Sequence, residues 1–209
     1  MKQILINASQ REELRLAIVE NNKLIELDID LPSKNIKSNI YKGTISRVEP
    51  SLEAAFVNFG RTRHGFLPFK EISPDIFTAG KSKSARDCIE QGKEIVVQID
   101  KEERGTKGAA LSTYLSLAGK YLVLLPRNPN TGGVSRRLEG NDRLAAKKLL
   151  NDINVPEGMS VILRTSGLDT TKDTLEWDMN YLIQIFESIL ENSVLKKAPF
   201  LIYEESSML

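Results

Sequence analysis

One cysteine and one histidine stand in 209 residues, and that scarcity removes most covalent and metal chemistry at once. Cys88 has no partner for an internal disulfide, and neither it nor His64 has the neighbours of a zinc site, a Cys/His pair or a Ser/His/Asp arrangement. A reducing compartment and a cytosolic setting are therefore expected. No P-loop and no Gly-x-Gly-x-x-Gly run occurs, so the common phosphate-cradling signatures are missing. No stretch approaches the ~20 apolar residues of a membrane span, and the N-terminus lacks a signal-peptide pattern. Internal repeats and long low-complexity segments are absent as well. Charge of one sign is also lacking: 29 Lys and Arg against 28 Asp and Glu give a net charge of +1. Any affinity for nucleic acid must then come from local patches rather than a global field. No converging pair of carboxylates stands out for two-metal chemistry. On its own residues this chain binds and does not cut.

What is present centres on Asn39–Leu115. Strand-like runs occur at Ile40–Val48, Ala54–Gly60, Gly65–Pro68, Glu94–Asp100 and Ala109–Leu115, and Ile95, Val97 and Ile99 alternate at period two. Five short strands with an interior Gly43, suited to a sharp bend, predict a small closed barrel of the OB type. Phe56 alternates with Ala54 and Asn58, opposite Ala55, Val57 and Phe59, which puts it on the more polar face. Phe66 follows Arg63-His64-Gly65. Most phenylalanines are core residues. These two, however, are interleaved with Lys42, Arg61, Arg63, Lys101, Arg104 and Lys107, and rings beside cations are what single-stranded nucleic acid requires.

The flanks read differently. Lys2–Asn7 has strand character, Ser9–Glu12 reads as a helical turn or loop, and Leu14–Val19 and Lys23–Leu31 form a hairpin around Glu20-Asn21-Asn22. Glu26, Asp28 and Asp30 share one face of the second strand, which reads as a solvated sheet face rather than a metal site. Ser73–Gln91 is an insertion in the barrel, with a basic Lys81–Ser84 loop and a short helix over Ala85–Ile89 ending at Gly92. Beyond Gly119, strands are expected at Tyr121–Leu125, Val134–Leu138, Met159–Thr165 and Phe200–Tyr203. One helix, capped by Asn141 or Asp142, carries Ala145, Leu149 and Ile153 on one side. A long helix over about 171–195 presents Leu175, Met179, Leu182, Phe186 and Ile189 as an apolar stripe that wants a sheet to cover. The order of elements indicates an α+β unit. Arg164-Thr165-Ser166-Gly167, with Arg136-Arg137, offers a guanidinium fork, a hydroxyl and free N–H groups, a compact set for a terminal phosphate. Arginines at strand ends are also commonly just solvated or paired with a carboxylate.

Several longer motifs go further. Asn39–Gly43, Glu49–Val57, Arg63–Pro68, Gln98–Gly105, Lys107–Ala110, Ser135–Arg137, Arg164-Thr165 and Ala198–Ile202 together resemble the N-terminal part of the catalytic region of the bacterial ribonuclease E/G family. The likeness covers essentially the whole chain, and the ribonuclease G branch fits less well around Lys101–Arg104. The resemblance implies three parts: 1–36 as the first piece of an RNase H-like subdomain, 37–118 as an S1 domain, and 119–209 as a 5′ sensor. By position, Phe56, Phe66 and Lys107 match the S1 residues that hold RNA. Gly119, Val123, Arg164 and Thr165 match a pocket for a 5′-monophosphate, with Arg136 close by. The resemblance further implies an endoribonuclease of RNA decay and of rRNA and tRNA processing, dependent on magnesium and linked by zinc. The metal-binding residues would lie outside these 209, so this chain alone is expected to be inactive. A full-length homotetramer in an RNA degradosome, cytoplasmic and peripheral at the inner membrane, is implied too. Two other readings remain open at this point: a stand-alone S1-type RNA-binding module, and a scaffold whose 175–189 stripe binds a partner.

Overall fold

The computed structural model describes residues 2–10, 13–30, 36–74, 76 and 89–205. Strands β1 (Lys2–Gln10), β2 (Glu13–Glu20) and β3 (Lys23–Asp30) form an antiparallel sheet in that order. Asn21 and Asn22 link β2 to β3 with φ of 50° and 61°, the paired left-handed conformation that a two-residue hairpin turn needs and asparagine tolerates. The expected hairpin is there, extended by β1 to three strands. Ser9 does not begin a helical turn. It lies within β1, beside an irregularity between Asn7 and Gln10, and donates its N–H to Asn7 Oδ1 at 3.0 Å; the ladder satisfies more backbone groups there than a single turn would. Ile4, Ile6, Ile25, Leu27 and Ile29 are all at least half exposed. Among the described residues no second layer covers this sheet.

The barrel follows. Strands β4 (Ile40–Glu49), β5 (Ala54–Asn58), β6 (Gly65–Pro68), β7 (Glu94–Lys101) and β8 (Ala110–Ser112) run in the order β4-β5-β6-β8-β7, and β7 returns to β4 to close the cylinder. Only the β6–β8 pair is parallel. Gly43 sits where strands cross: a Cβ there would stand 2.5 Å from Val57 Cγ1 and 2.9 Å from the Asn58 carbonyl oxygen. No side chain fits that approach. Ile45, Val57, Leu67, Val97, Ile99 and Leu111 fill the interior, with Tyr41 and Phe59 edge to face at 5.2 Å. Closure removes the exposed strand edges that a five-stranded sheet would otherwise carry. Most of the Ser73–Gln91 insertion, including the Lys81–Ser84 loop, residues 85–88 of the expected helix and with them Cys88, lies outside the described residues; Ile89 is described, buried in the barrel core.

The last unit is a four-stranded sheet ordered β11-β12-β10-β9, from β9 (Leu117–Ala118), β10 (Leu122–Leu125), β11 (Gly133–Val134) and β12 (Ser160–Leu163). Helices α1 (Gly140–Asn151) and α2 (Lys172–Leu195) accompany it. The stripe Leu175, Met179, Leu182, Phe186 and Ile189 is buried in one cluster with Leu122, Leu124, Val161 and Leu163, and Thr171 Oγ1 caps α2 by accepting the Thr174 N–H at 3.3 Å. That stripe is core, so it is not available to a partner. Three local expectations shift. Ser135–Leu138 is a turn, because Ser135 makes one more bond to Leu163 and Leu138 then folds back onto Ser135 to reach the core. Glu139, not Asn141 or Asp142, holds the N-cap position of α1, without a side-chain cap. Ala146 rather than Ala145 is the buried alanine. Finally, β13 (Phe200–Tyr203) joins the barrel, pairing Phe200 with Lys42 and Leu201 with Tyr41 along the start of β4, which β5 does not reach. Ile40 and Val96, from the outer face of β4 and β7, pack into the α2 cluster. The two units therefore share one apolar seam.

Candidate nucleic-acid interface

Strand register builds the first part of the site. Arg47 on β4 pairs with Phe56 on β5, Phe56 with Phe66 on β6, and Phe66 with Ala110 on β8. One row thus crosses four strands on the outside of the barrel. Its rings stand edge to face, 5.9 Å between centroids and 67° between planes, an arrangement that aromatic quadrupoles favour. The Arg47 guanidinium lies 4.9 Å from the Phe56 centroid and is steadied by Glu49 at 3.0 Å. Phe56, Phe66, Thr106, Lys107, Gly108 and Ala110 line a mainly apolar cleft of about 480 Å³. Lys107 is exposed at its rim, on a turn closed by reciprocal bonds to Arg104 at 3.1 and 3.0 Å. A side chain at Gly108 would run into the His64 carbonyl, so this wall of the cleft requires glycine.

A second recess lies on the other side of Phe56, lined by Ser46, Arg47 and His64. Ser46 Oγ donates to the Phe56 carbonyl at 3.1 Å and stands 2.8 Å from His64 Nδ1. Not all the cations singled out in the sequence belong here. Lys42 is bound to Glu94 at 2.6 Å and to the Lys196 carbonyl at 2.9 Å, which fastens β4 to the end of α2. That bond first, and the Ala198 N–H second, hold the Glu94 carboxyl below its usual value. Arg63 donates to the Gly105 carbonyl.

Topology builds the second part. β9, β11 and β12 run the same way, so their C-terminal ends emerge at one edge of the sheet. Gly119 follows β9, Arg136 lies just past β11, and Arg164 and Thr165 follow β12. The Arg164 guanidinium donates to the Gly119 carbonyl, and its backbone N–H donates to Tyr121 O at 2.8 Å. Ser166 Oγ donates to the Lys120 carbonyl at 2.6 Å. Thr165 and Arg136 are exposed. Val123, half-buried, pairs with Ala118 and Ile162 on the sheet face away from the buried Leu122 and Leu124. Gly119, Arg164 and Thr165 thus meet across adjacent turns, with Arg136 on the next turn over and Val123 one strand position inside.

Asp178, 2% exposed, holds this edge together. It accepts the Lys120 N–H on Oδ1 at 3.2 Å, and the Tyr121 and Leu122 N–H groups on Oδ2 at 2.8 and 2.9 Å. A Cβ at Gly119 would lie 2.6 Å from Oδ2, so the turn presses directly on the carboxylate. Asp178 and Arg47 escaped the sequence reading. The signal for Asp178 was an acid inside the Leu175–Leu182 apolar stripe; Arg47 gave none beyond its alternation along β4. Lys120 sits 5.0 Å from the Tyr121 ring, and its ammonium is held above its ordinary value, chiefly by the hydrogen bond to Tyr121.

Known proteins sharpen this geometry. Residues 34–114 match the S1 RNA binding domain and residues 116–209 match the Ribonuclease E/G family. Over all of its length the chain is 51% identical to Ribonuclease E of Escherichia coli (strain K12) and 50% identical to that of Haemophilus influenzae. It belongs to the ribonuclease E/G family. Ribonuclease G of Haemophilus influenzae is 32% identical over 99% of the chain, so this member stands nearer the ribonuclease E side. It spans 20% and 23% of those two ribonuclease E relatives and 43% of the ribonuclease G. The S1 match makes the barrel of this ribonuclease E/G chain an RNA-binding domain, and the Arg47–Ala110 row lies within it. Among the described residues no group of three His, Cys, Asp or Glu side chains stands together to hold a metal ion. Among them, too, no helix is long and apolar enough to cross a membrane.

Proposed function

We propose that this chain is the RNA-holding part of a single-strand-specific endoribonuclease, gripping the strand on the barrel and reading its 5′ end at the edge of the second sheet. The observation that carries the reading is the row Arg47–Phe56–Phe66–Ala110, with Lys107 at the rim of its cleft, on an S1 domain. Phe56 and Phe66 stack on bases while Lys107 meets the phosphate backbone, a combination that tolerates any sequence. At the sheet edge, Gly119, Val123, Arg136, Arg164 and Thr165 form the 5′-monophosphate site. A guanidinium has five N–H donors. With one given to the Gly119 carbonyl, Arg164 can still present its fork to a doubly charged terminal phosphate. Thr165 adds a hydroxyl, and Val123 offers an apolar contact to the terminal nucleoside. A triphosphate brings more bulk and charge than such a site accommodates.

Domain limits of 1–36, 37–118 and 119–209 belong to the same proposal, as do cleavage in RNA decay and rRNA and tRNA processing. Magnesium and zinc are assigned to segments outside these 209 residues. A homotetrameric, degradosome-associated form in the cytoplasm, peripheral at the inner membrane, completes it. A stand-alone S1 module would bind RNA without regard to the 5′ group. Titrating the chain with one short single-stranded RNA, bearing either a 5′-monophosphate or a 5′-hydroxyl, separates the two. Tighter binding of the monophosphate supports the sensor, and equal binding removes it.

A further inference from the structure

Helix α2 carries on its solvent flank a pair of rings that the site just described does not use. Trp177 and Tyr181, one turn apart, lie with centroids 6.0 Å apart and planes only 5° from parallel. They stay 68% and 51% exposed, leaving broad apolar faces in water. Their placement is fixed by Asp178, the residue after Trp177, which bonds directly to the Lys120–Leu122 backbone. The rings and the turn that bears Gly119 are therefore joined through neighbouring residues of one helix turn. The other side of the pair leads to the same edge. Burial first, then the nearby charges of Glu205 and Tyr181, raise the Tyr203 hydroxyl, and Glu205 in turn feels Arg164. Asp178, next to Trp177, presses on the Gly119 turn, whose carbonyl the Arg164 guanidinium engages, so the helix flank that bears the rings adjoins the edge where Arg164 and Lys120 supply positive charge.

We propose that Trp177 and Tyr181 are a stacking platform for the bases of single-stranded RNA next to its phosphorylated 5′ end. The proposal rests on reading the Gly119–Arg164 edge as the phosphate site. Flat, parallel, exposed rings beside a cationic rim suit nucleobases, and stacking on them is indifferent to sequence. Acidic Asp173 and Glu176 share this end of the helix, and Glu176 is engaged by Lys172 at 3.5 Å. The phosphate backbone is therefore kept off the platform, and contact is through base faces. A 5′ phosphate fixed at Arg164 and a base fixed at Trp177 would together hold the end of the strand in one orientation.

Trp177 is the only tryptophan in the chain, so its emission reports on the platform directly. The full chain is titrated with a short 5′-monophosphorylated RNA, with the same RNA made abasic beside its first nucleotide, and with the 5′-hydroxyl form. The expected result is quenching by the monophosphorylated RNA that the abasic RNA does not produce. Trp177→Ala and Tyr181→Ala each weaken binding by about tenfold, and Trp177→Phe restores most of it; both sites are exposed, and circular dichroism confirms the variants fold. Tight binding without a change in Trp177 emission, or wild-type affinity in both alanine variants, overturns the platform. So does emission that shifts with protein concentration in the absence of RNA, which would put a second copy on these rings. Quenching by the monophosphate and hydroxyl forms alike, at equal affinity, supports the platform and removes the 5′-phosphate reading, so the two ideas fail separately.

Discussion

Removing the Asp178 carboxylate should both destabilise the chain and disable the sheet edge. Three backbone N–H groups converge on it, one bond buried and two partly buried. A hydrogen bond to a charged acceptor contributes about 1.5–3 kcal/mol, and a buried donor left without a partner costs about 1–3 kcal/mol. In Asp178→Ala the Leu122 N–H bears that full cost, while water can reach the other two donors in part. The sum is about 3–4 kcal/mol. For a chain of this length that lowers Tm by roughly 6–15 °C. Asp178→Asn keeps the acceptor oxygen for the Tyr121 and Leu122 donors but turns an amide NH₂ toward Lys120, so about half the loss is expected. Gly119→Ala attacks the same contact from the other side, because its Cβ would stand 2.6 Å from Oδ2. The Gly119→Ala/Asp178→Ala double variant should then lose less than the two single losses together, since the methyl occupies space the carboxylate has vacated. Chemical denaturation of the four proteins gives this cycle. An Asp178→Ala protein within about 1 kcal/mol of wild type, or strict additivity in the double variant, would refute the account of how this edge is held.

Other expectations are shorter. Gly108→Ala drives a methyl into the His64 carbonyl, and since backbone must shift to relieve it, a loss of about 1–3 kcal/mol is expected together with weaker RNA binding at the adjoining cleft; thermal unfolding and RNA titration check both. Phe56→Ala removes one stacking ring and the seat of Arg47, weakening single-stranded RNA by about 1–3 kcal/mol at any sequence, as fluorescence anisotropy would show. Burial raises the Glu205 carboxyl, with Arg164 opposing, and its Oε2 is buried with no hydrogen-bond partner among the described residues. A raised carboxyl favours the protonated form in the fold, so its contribution is present below the unfolded carboxyl range and lost as pH rises through the folded value. Glu205→Gln, uncharged throughout, should therefore gain stability relative to wild type as pH rises from about 4 towards neutrality. A Tm difference that stays flat or falls over that range contradicts this.

The parts legible in sequence were those set by periodicity and by turn chemistry. Alternation in Ala54–Phe59 placed Phe56 outside the barrel and Val57 and Phe59 inside, as they are. Spacings of four and three along α2 gave its buried stripe without error, and the Asn21-Asn22 pair gave the hairpin. Elements decided by tertiary partners were not legible. Nothing local says that Phe200–Tyr203 will leave its own sheet for an edge of β4, or that Ser135 will add a single rung and then turn. The same holds at the site. Composition exposed the rings and cations, but only strand register aligned Arg47 with Phe56 and Phe66. Which cations stay available was a matter of pairing: Lys42 is taken by Glu94. At the sheet edge, the parallel run of β9, β11 and β12 brings together residues 119, 136 and 164, separations that no spacing rule connects.

The central claim is a division of labour, with the barrel holding the strand and the sheet edge reading its 5′ group. Its most direct test is the affinity of wild type, Phe56→Ala and Arg164→Ala for one single-stranded RNA carrying a 5′-monophosphate or a 5′-hydroxyl. Phe56→Ala should weaken both RNAs by the same factor and keep the preference for the monophosphate. Arg164→Ala should lose that preference and bind both RNAs as wild type binds the hydroxyl form. A preference that survives Arg164→Ala, or one that vanishes with Phe56→Ala, would contradict it.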